Sequence, residues 1–320
     1  MGCWHERACG ACTLMATTAL IEGLIVANHG RHFLVEESGG GRLICHSRGK
    51  KSIGVVGDRV LWQATGDEGT IENIQVRRNL FYRQDDMRTK SFAANLDQIL
   101  ILIAAEPAFS SSQLSRALIA AEAAGITPII ALNKSDLAAP FTQAWEWLAP
   151  YRRMGYQVLR FSLGLAGEPE RTALLKIFEG KTTLVLGPSG AGKSTLINLL
   201  KPGALAQTGE ISHALNSGKH TTTRTTWYWI DDKRTTALID SPGFQVFGLN
   251  HIEPAQLARY MPDLQSHASH CKFYNCSHLH EPGCSVITAL ESPSNPHGIS
   301  LNRYKIYSEL HAELSDLTKY

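Results

Sequence analysis

Gly187-Pro188-Ser189-Gly190-Ala191-Gly192-Lys193-Ser194, with Thr195 after it, fits the spacing G-x-x-x-x-G-K-[ST]. A β-prone run, Thr182-Thr183-Leu184-Val185-Leu186, leads in, and an apolar helical run, Leu196 to Leu200, leads out. Strand, loop and helix together are the setting this motif needs. Glycines let backbone N–H groups turn inward around a polyphosphate, and the helix N-terminus adds the positive end of its dipole. Lys193 is expected to reach the β- and γ-phosphates, and the Ser194 hydroxyl to ligate Mg²⁺. The loop implies a nucleoside triphosphate but does not name the base.

Upstream, Asn133-Lys134-Ser135-Asp136 follows the apolar run Thr127 to Leu132 and fits N-K-x-D. An aspartate carboxylate accepts from guanine N1–H and its 2-amino group. Adenine lacks that amino group and presents a bare acceptor at N1, so the motif selects guanine. Ser162-Leu163, after the strand at Val158-Leu159, is expected to back the base. Downstream, Asp240-Ser241-Pro242-Gly243 ends the run Ala237 to Ile239 as D-x-x-G, which holds Mg²⁺ and senses the γ-phosphate. Between them lies Ser217-Gly218-Lys219-His220-Thr221-Thr222-Thr223-Arg224, where one threonine, with Thr222 as the candidate, is expected to close over Mg²⁺. Spacing does not choose among the three threonines.

The guanine motif precedes the phosphate loop, and D-x-x-G comes last. That order predicts a circularly permuted domain, which is physically allowed because domain termini often lie close together. The chain then leaves the nucleotide domain directly from the γ-phosphate sensor.

Around this centre, 320 residues are long for one domain. Apolar residues make up 43% and charged residues 19%, ordinary for a folded chain. A net charge of +2 leaves nucleic-acid binding to local basic patches. No run has the 18 or so apolar residues of a membrane span, so no membrane partner is expected. Of the seven cysteines, three lie in the first dozen residues, Cys45 is alone and three cluster near the end, which suggests a metal site in a reducing, cytoplasmic setting rather than a disulfide framework. Residues 1–19 lack signal-peptide character and are expected to be a poorly ordered leader. Cys3, Cys9 and Cys12 lie there.

Residues 20–84 show short strands with turn signals, predicting an OB-fold β-barrel. Its Arg42, Arg48, Lys50 and Lys51 either meet RNA phosphates or form a solvated loop. Arg77 to Lys90 reads as a linker. Residues 85–249 alternate strands and helices, as an α/β domain with a mainly parallel sheet does. Gln98 to Ala104 is expected to be buried on both faces, and Phe141 to Arg152 to be one helix. Residues 250–320 look mainly helical, with Ile306, Leu310, Leu314 and Leu317 forming one apolar face. Cys271, Cys276, His278 and Cys284 supply three thiolates and one imidazole, a closed set for one structural Zn²⁺. His270 and His280 are rival imidazoles.

This combination resembles the bacterial ribosome small-subunit-dependent GTPase family, RsgA (also called YjeQ or EngC). The matching stretches are Val56-Gly57-Asp58-Arg59-Val60, 133–136, 187–194, 218–224, 240–243 and the Cys271–Cys284 cluster, spanning about residues 20–320. Lys219 stands where the family usually has arginine. The resemblance implies a cytoplasmic, monomeric GTPase stimulated by the 30S subunit. It implies late 30S maturation as the task, with barrel and zinc domains on 16S rRNA. Phe244 occupies the position where Ras-like enzymes place a water-orienting glutamine, so intrinsic turnover is expected to be slow. His220 is the candidate water-orienting group; the alternative is that it only packs or contacts RNA. A non-catalytic GTP-gated RNA-binding switch is the rival function.

Overall fold

The computed structural model describes residues 19–30, 32–49, 54–85, 88–204, 225–243, 247–292, 295 and 298–317. Most of the leader, together with Lys50, Lys51, His220, the three switch threonines and Phe244, lies outside them.

Five strands form the barrel: β1 (Ile21–His29), β2 (His32–Glu37), β3 (Arg42–Ser47), β4 (Arg59–Thr65) and β5 (Glu68–Ile74). Their order is β1-β2-β3-β5-β4, with β4 closing back on β1. The β3–β5 pair is parallel and the others antiparallel, the OB-type closure. Alternating residues fill the interior with Ile25, Phe33, Val35, Cys45, Val60, Trp62 and Ile71. Strand β4 begins only at Arg59. Before it, Val56-Gly57 turns, and Asp58 is fully buried on the Arg77 guanidinium at 2.7 and 2.8 Å.

The stretch expected to be a linker is a hairpin instead, β6 (Leu80–Asp85) with β7 (Arg88–Ala94). Its polar outer face hides the pattern. Only Phe81 and Phe92 bury large rings, and both pack on Phe247 at centroid distances of 5.7 and 5.9 Å.

Parallel strands β8 (Gln98–Ala104), β9 (Thr127–Asn133), β10 (Gln157–Arg160), β11 (Thr182–Leu186) and β13 (Ala237–Asp240) build the central sheet in the order β10-β9-β8-β11-β13. β12 (Thr226–Trp229) adds an antiparallel strand on β13 and pairs on its other side with β1, so the central sheet runs on into the barrel. All seven β8 residues are buried because helices cover both faces. Ile99, Ile101 and Ile103 share a core with α1 (Ser111–Ala123). Leu100 and Leu102 face α4 (Glu168–Phe178) and α5 (Lys193–Leu200). The helix expected over Phe141 to Arg152 is two, α2 (Ala138–Trp147) and α3 (Ala149–Arg153). They break at Leu148, where Pro150 enters the first turn of α3.

The remaining elements are a 3-10 helix (Pro254–Tyr260), α6 (Pro262–Ala268), α7 (Ser285–Thr288) and α8 (Leu301–Leu317). Ile306, Leu310 and Leu314 of α8 join the same core as α1. Arg303, 3% exposed, donates to both Asp263 oxygens at 2.8 and 3.0 Å and to Ser115 Oγ on α1 at 2.7 Å. A buried guanidinium thus clamps the C-terminal helices to the α/β domain.

Candidate functional site

The candidate residues gather at the C-terminal ends of β8, β9, β11 and β13, where open α/β sheets bind ligands. Gly187 ends β11 so close to β8 that a Cβ would lie 2.2 Å from the Leu102 carbonyl oxygen. Gly192 has φ +106°, and a Cβ there would lie 2.4 Å from Asn133 Nδ2. Only glycine fits both places. Between them Pro188, Ser189, Gly190 and Ala191 form the loop, and the Ala191 carbonyl turns toward Asn133.

Asn133 is 4% exposed and ties three loops together. Its Nδ2 donates to the Ala191 carbonyl at 2.9 Å, while Oδ1 accepts from Lys134 N at 2.7 Å and from Leu163 N at 2.9 Å. Lys134 adopts φ +66°, and its ammonium donates to the Glu106 carbonyl. Ser135 N donates to the Phe161 carbonyl at 3.1 Å. The Ser162 hydroxyl donates to the Asp136 carboxylate, and that bond chiefly holds Asp136 below its usual range. Asp136 and Ser135 are exposed.

Lys193 opens α5, and its ammonium donates back to the carbonyls of Gly187 (2.9 Å) and Pro188 (3.0 Å). Burial lowers its pKa, while the charge of Asp240 works the other way. Asp240 is pushed up to about 6 by burial, against the pull of Lys193. Its Oδ1 is buried without a hydrogen-bond partner among the described residues. Next to it Ser241 Oγ donates to the Val185 carbonyl at 2.7 Å. Gly243 lies against the loop, its Cβ direction 3.4 Å from both Lys193 Nζ and Ser189 N. Ser194 and Thr195 are exposed on the first turn of α5.

A family model described as RsgA GTPase matches residues 74–250. The chain belongs to the RsgA GTPase family. A protein named small ribosomal subunit biogenesis GTPase RsgA from Variovorax paradoxus (strain S110) is 70% identical over 92% of this chain and 93% of its own length. A relative of the same name from Burkholderia pseudomallei (strain 1710b) is 50% identical over 93% of this chain and 94% of its own. Among solved structures, YloQ, described as a circularly permuted GTPase, superposes with TM-score 0.67 at 27% identity, covering 94% of this chain and 97% of its own. YjeQ from Thermotoga maritima gives 0.69 at 28%, covering 92% and 99%. As an RsgA family member the chain is a GTP hydrolase with the permuted order that the motifs predicted.

A second cluster follows the RsgA GTPase unit. Cys271, Cys276, His278 and Cys284 bring four ligand atoms within 4.8 Å of one another, and neither His270 nor His280 belongs to that group. His278 Nδ1 lies 3.4 Å from Cys271 Sγ and 3.6 Å from Cys284 Sγ, and the two sulfurs are 3.9 Å apart. Tetrahedral zinc, with Zn–S about 2.3 Å and Zn–N about 2.0 Å, needs sulfurs about 3.8 Å apart and a sulfur about 3.5 Å from nitrogen. The donors fit a tetrahedral metal ion. Burial and the neighbouring thiols push Cys276 up to about 12, although a backbone donor at His278 opposes them. A cation among the sulfurs reverses that balance.

The frame of this cluster is not legible in the sequence. Glu281 accepts from the backbone N–H groups of Ser277, Leu279 and His280 at 2.6, 3.2 and 3.3 Å. Burial opposes its ionisation, but these bonds outweigh it and hold the carboxyl far below its usual range. Tyr304 and Tyr307 of α8 donate to the carbonyls of His278 (2.9 Å) and Ser277 (2.7 Å). Both partnerships cross from one segment to another, and no local spacing announces them. On the barrel, Arg42 and Arg48 are paired with Glu36 and Glu72.

Proposed function

We propose that this chain hydrolyses GTP to GDP and phosphate in late assembly of the small (30S) ribosomal subunit, which stimulates its turnover, and that it binds 16S rRNA. The observation that carries the reading is Asn133, whose three hydrogen bonds set the guanine motif against the phosphate loop. The names borne by its relatives point to the task. Asp136 reads guanine, Lys134 lies along the base face, and Ser162 orients the carboxylate. Backbone N–H groups of residues 187–195 cradle the phosphates. There Lys193 exchanges neutral carbonyl acceptors for phosphate oxygens, a stronger charge-assisted bond.

The residues fit Mg²⁺: Ser194 offers an exposed hydroxyl, and the buried Asp240 Oδ1 has no partner among the described residues. When bound, Mg²⁺ neutralises charge on the β- and γ-phosphates. Gly243 senses the γ-phosphate, Thr222 closes the first switch, and His220 orients water. One Zn²⁺ on Cys271, Cys276, His278 and Cys284 has a structural role. The protein works as a cytoplasmic monomer; among the described residues, no helix is long and apolar enough to cross a membrane.

The deciding measurement is the GTPase rate with purified small against large subunits. Stimulation by the small subunit alone supports the reading, and stimulation by neither refutes it. Single-turnover hydrolysis separates an enzyme from a non-catalytic GTP-gated switch. His220→Ala should abolish stimulated hydrolysis and spare GTP binding, and unchanged turnover removes His220 from the mechanism. Lys193→Ala should weaken nucleotide binding outright.

A further inference from the structure

The β12–β13 hairpin joins the two nucleotide-sensing stretches, for Thr226 follows the 217–224 run and Asp240 opens D-x-x-G. The barrel meets this hairpin through a strand pair, a polar tie and apolar side chains, with Val26 in the same core as Trp227. Ala27 of β1 pairs with Thr226, which itself pairs with Asp240 on the other side. Farther along, the Glu36 carboxylate of β2, with a side chain 4% exposed, accepts from Trp229 Nε1 at 2.6 Å and from Arg42 Nε at 2.7 Å. The Arg234 guanidinium, from the β12–β13 turn, lies 3.6 Å from the same carboxylate. It also covers Gly40, where a Cβ would be 1.9 Å from its Nη2. Open clefts of about 350 and 400 Å³ flank this contact, one lined by Glu22, Gly57 and Thr235, the other by Lys201, Asp231 and Asp232. Glu36 is therefore the buried polar tie in a contact that also holds a strand pair and apolar packing.

We propose that Glu36 is a positioning residue for the stimulated step only, coupling RNA seated on the barrel to the hairpin that joins the two nucleotide-sensing stretches. The inference rests on the reading that the barrel takes ribosomal RNA. Removing one partner from a buried carboxylate is strongly unfavourable, so a barrel that shifts carries β12 with it. Because Thr226 is paired to Asp240, the shift arrives at the phosphate sensor. Arg42 is the entry point: it is part-exposed, and an RNA phosphate reaching it competes with Glu36 for one guanidinium.

The test uses the full chain with Glu36→Ala, Glu36→Gln or Arg234→Ala. Turnover is measured alone and with saturating purified small subunits. Small-subunit affinity is measured with a non-hydrolysable GTP analogue and with GDP. None of these residues lies in the nucleotide site, so each variant should keep the wild-type basal rate. Glu36→Ala and Arg234→Ala should lose at least about fivefold of the stimulated rate, the lower end of coupling between distant sites. The ratio of the two affinities should move toward one. Glu36→Gln, which keeps an acceptor for Trp229 but loses the ion pairs, should fall between. If Glu36→Ala does not fold, Arg234→Ala carries the test, since that side chain is 38% exposed. A stimulated wild type with Arg234→Ala equally stimulated overturns the inference alone. A wild type that small subunits do not stimulate overturns the functional reading and this inference with it.

Discussion

Asn133 and Ala191 stand 58 residues apart, yet the Asn133 amide donates to the Ala191 carbonyl at 2.9 Å. The same side chain caps its own turn and the loop at Leu163. One residue therefore spaces the 133–136 turn from the 187–194 loop. Asn133→Ala leaves buried partners unmet, at about 1–3 kcal/mol for each group stranded. GTP affinity should fall at least about tenfold, measured by titration with a fluorescent nucleotide. Unaltered affinity would show that the loops hold their places without it.

Asp136 is exposed and kept ionised by Ser162. Asp136→Asn replaces an acceptor with a group that also donates. The variant should lose at least about 100-fold in GTP affinity and bind xanthosine triphosphate better, because xanthine offers a 2-oxo acceptor where guanine has an amine. Competition binding with the two nucleotides reads the outcome. Equal loss for both would mean that Asp136 shapes the loop rather than reads the base.

Asp240 shifts from 3.8 to about 6, with burial as the first cause. A carboxyl whose folded pKa is raised contributes stability below its unfolded pKa and loses it as pH rises through the folded value. In nucleotide-free, Mg²⁺-free protein this contribution should fade between about pH 4 and 6, by up to about 3 kcal/mol. Asp240→Asn should flatten that part of the stability–pH curve. Thermal unfolding of both proteins across the window checks it, and parallel curves would refute it.

Atomic absorption should find one zinc per chain, and Cys276→Ser should remove it. Structural zinc supplies about 10–16 kcal/mol in finger peptides, so metal loss should also expose the Cys271–Cys284 loop to protease. A chelator should reproduce the effect in the wild type and leave the variant unchanged. Full protease resistance without metal would show that Tyr304, Tyr307 and Glu281 suffice to hold the loop.

Arg303 and Asp263 form a buried pair whose rupture should cost about 3–5 kcal/mol. Arg303→Met should lower the melting temperature and release α8 early in limited proteolysis. Adding Asp263→Leu should recover part of the loss, because the stranded carboxylate is gone. Additive losses would place the damage in packing rather than charge.

Much of the architecture was legible because it is written in short windows. Alternation marked the barrel strands, and continuous apolar character marked β8. Glycine at 187 and 192 marked the loop, since a side chain there meets Leu102 or Asn133. The hairpin at 80–94 was not legible, because only Phe81 and Phe92 betray it and their partner, Phe247, comes 155 residues after Phe92.

By itself the sequence determined the residue types and their order: a phosphate loop after a guanine motif, D-x-x-G last, and three thiols with an imidazole beyond. Those are local signals, since chemistry needs given groups at given spacings. Only the tertiary structure decided which polar groups would meet across layers. Asn133 meets Ala191, Glu36 meets Trp229 at a separation of 193 residues, and Arg303 meets Ser115 at 188. Such pairs carry no period along the chain. They arise where packed sheets and helices bring buried donors to buried acceptors, which must be satisfied wherever they stand in sequence.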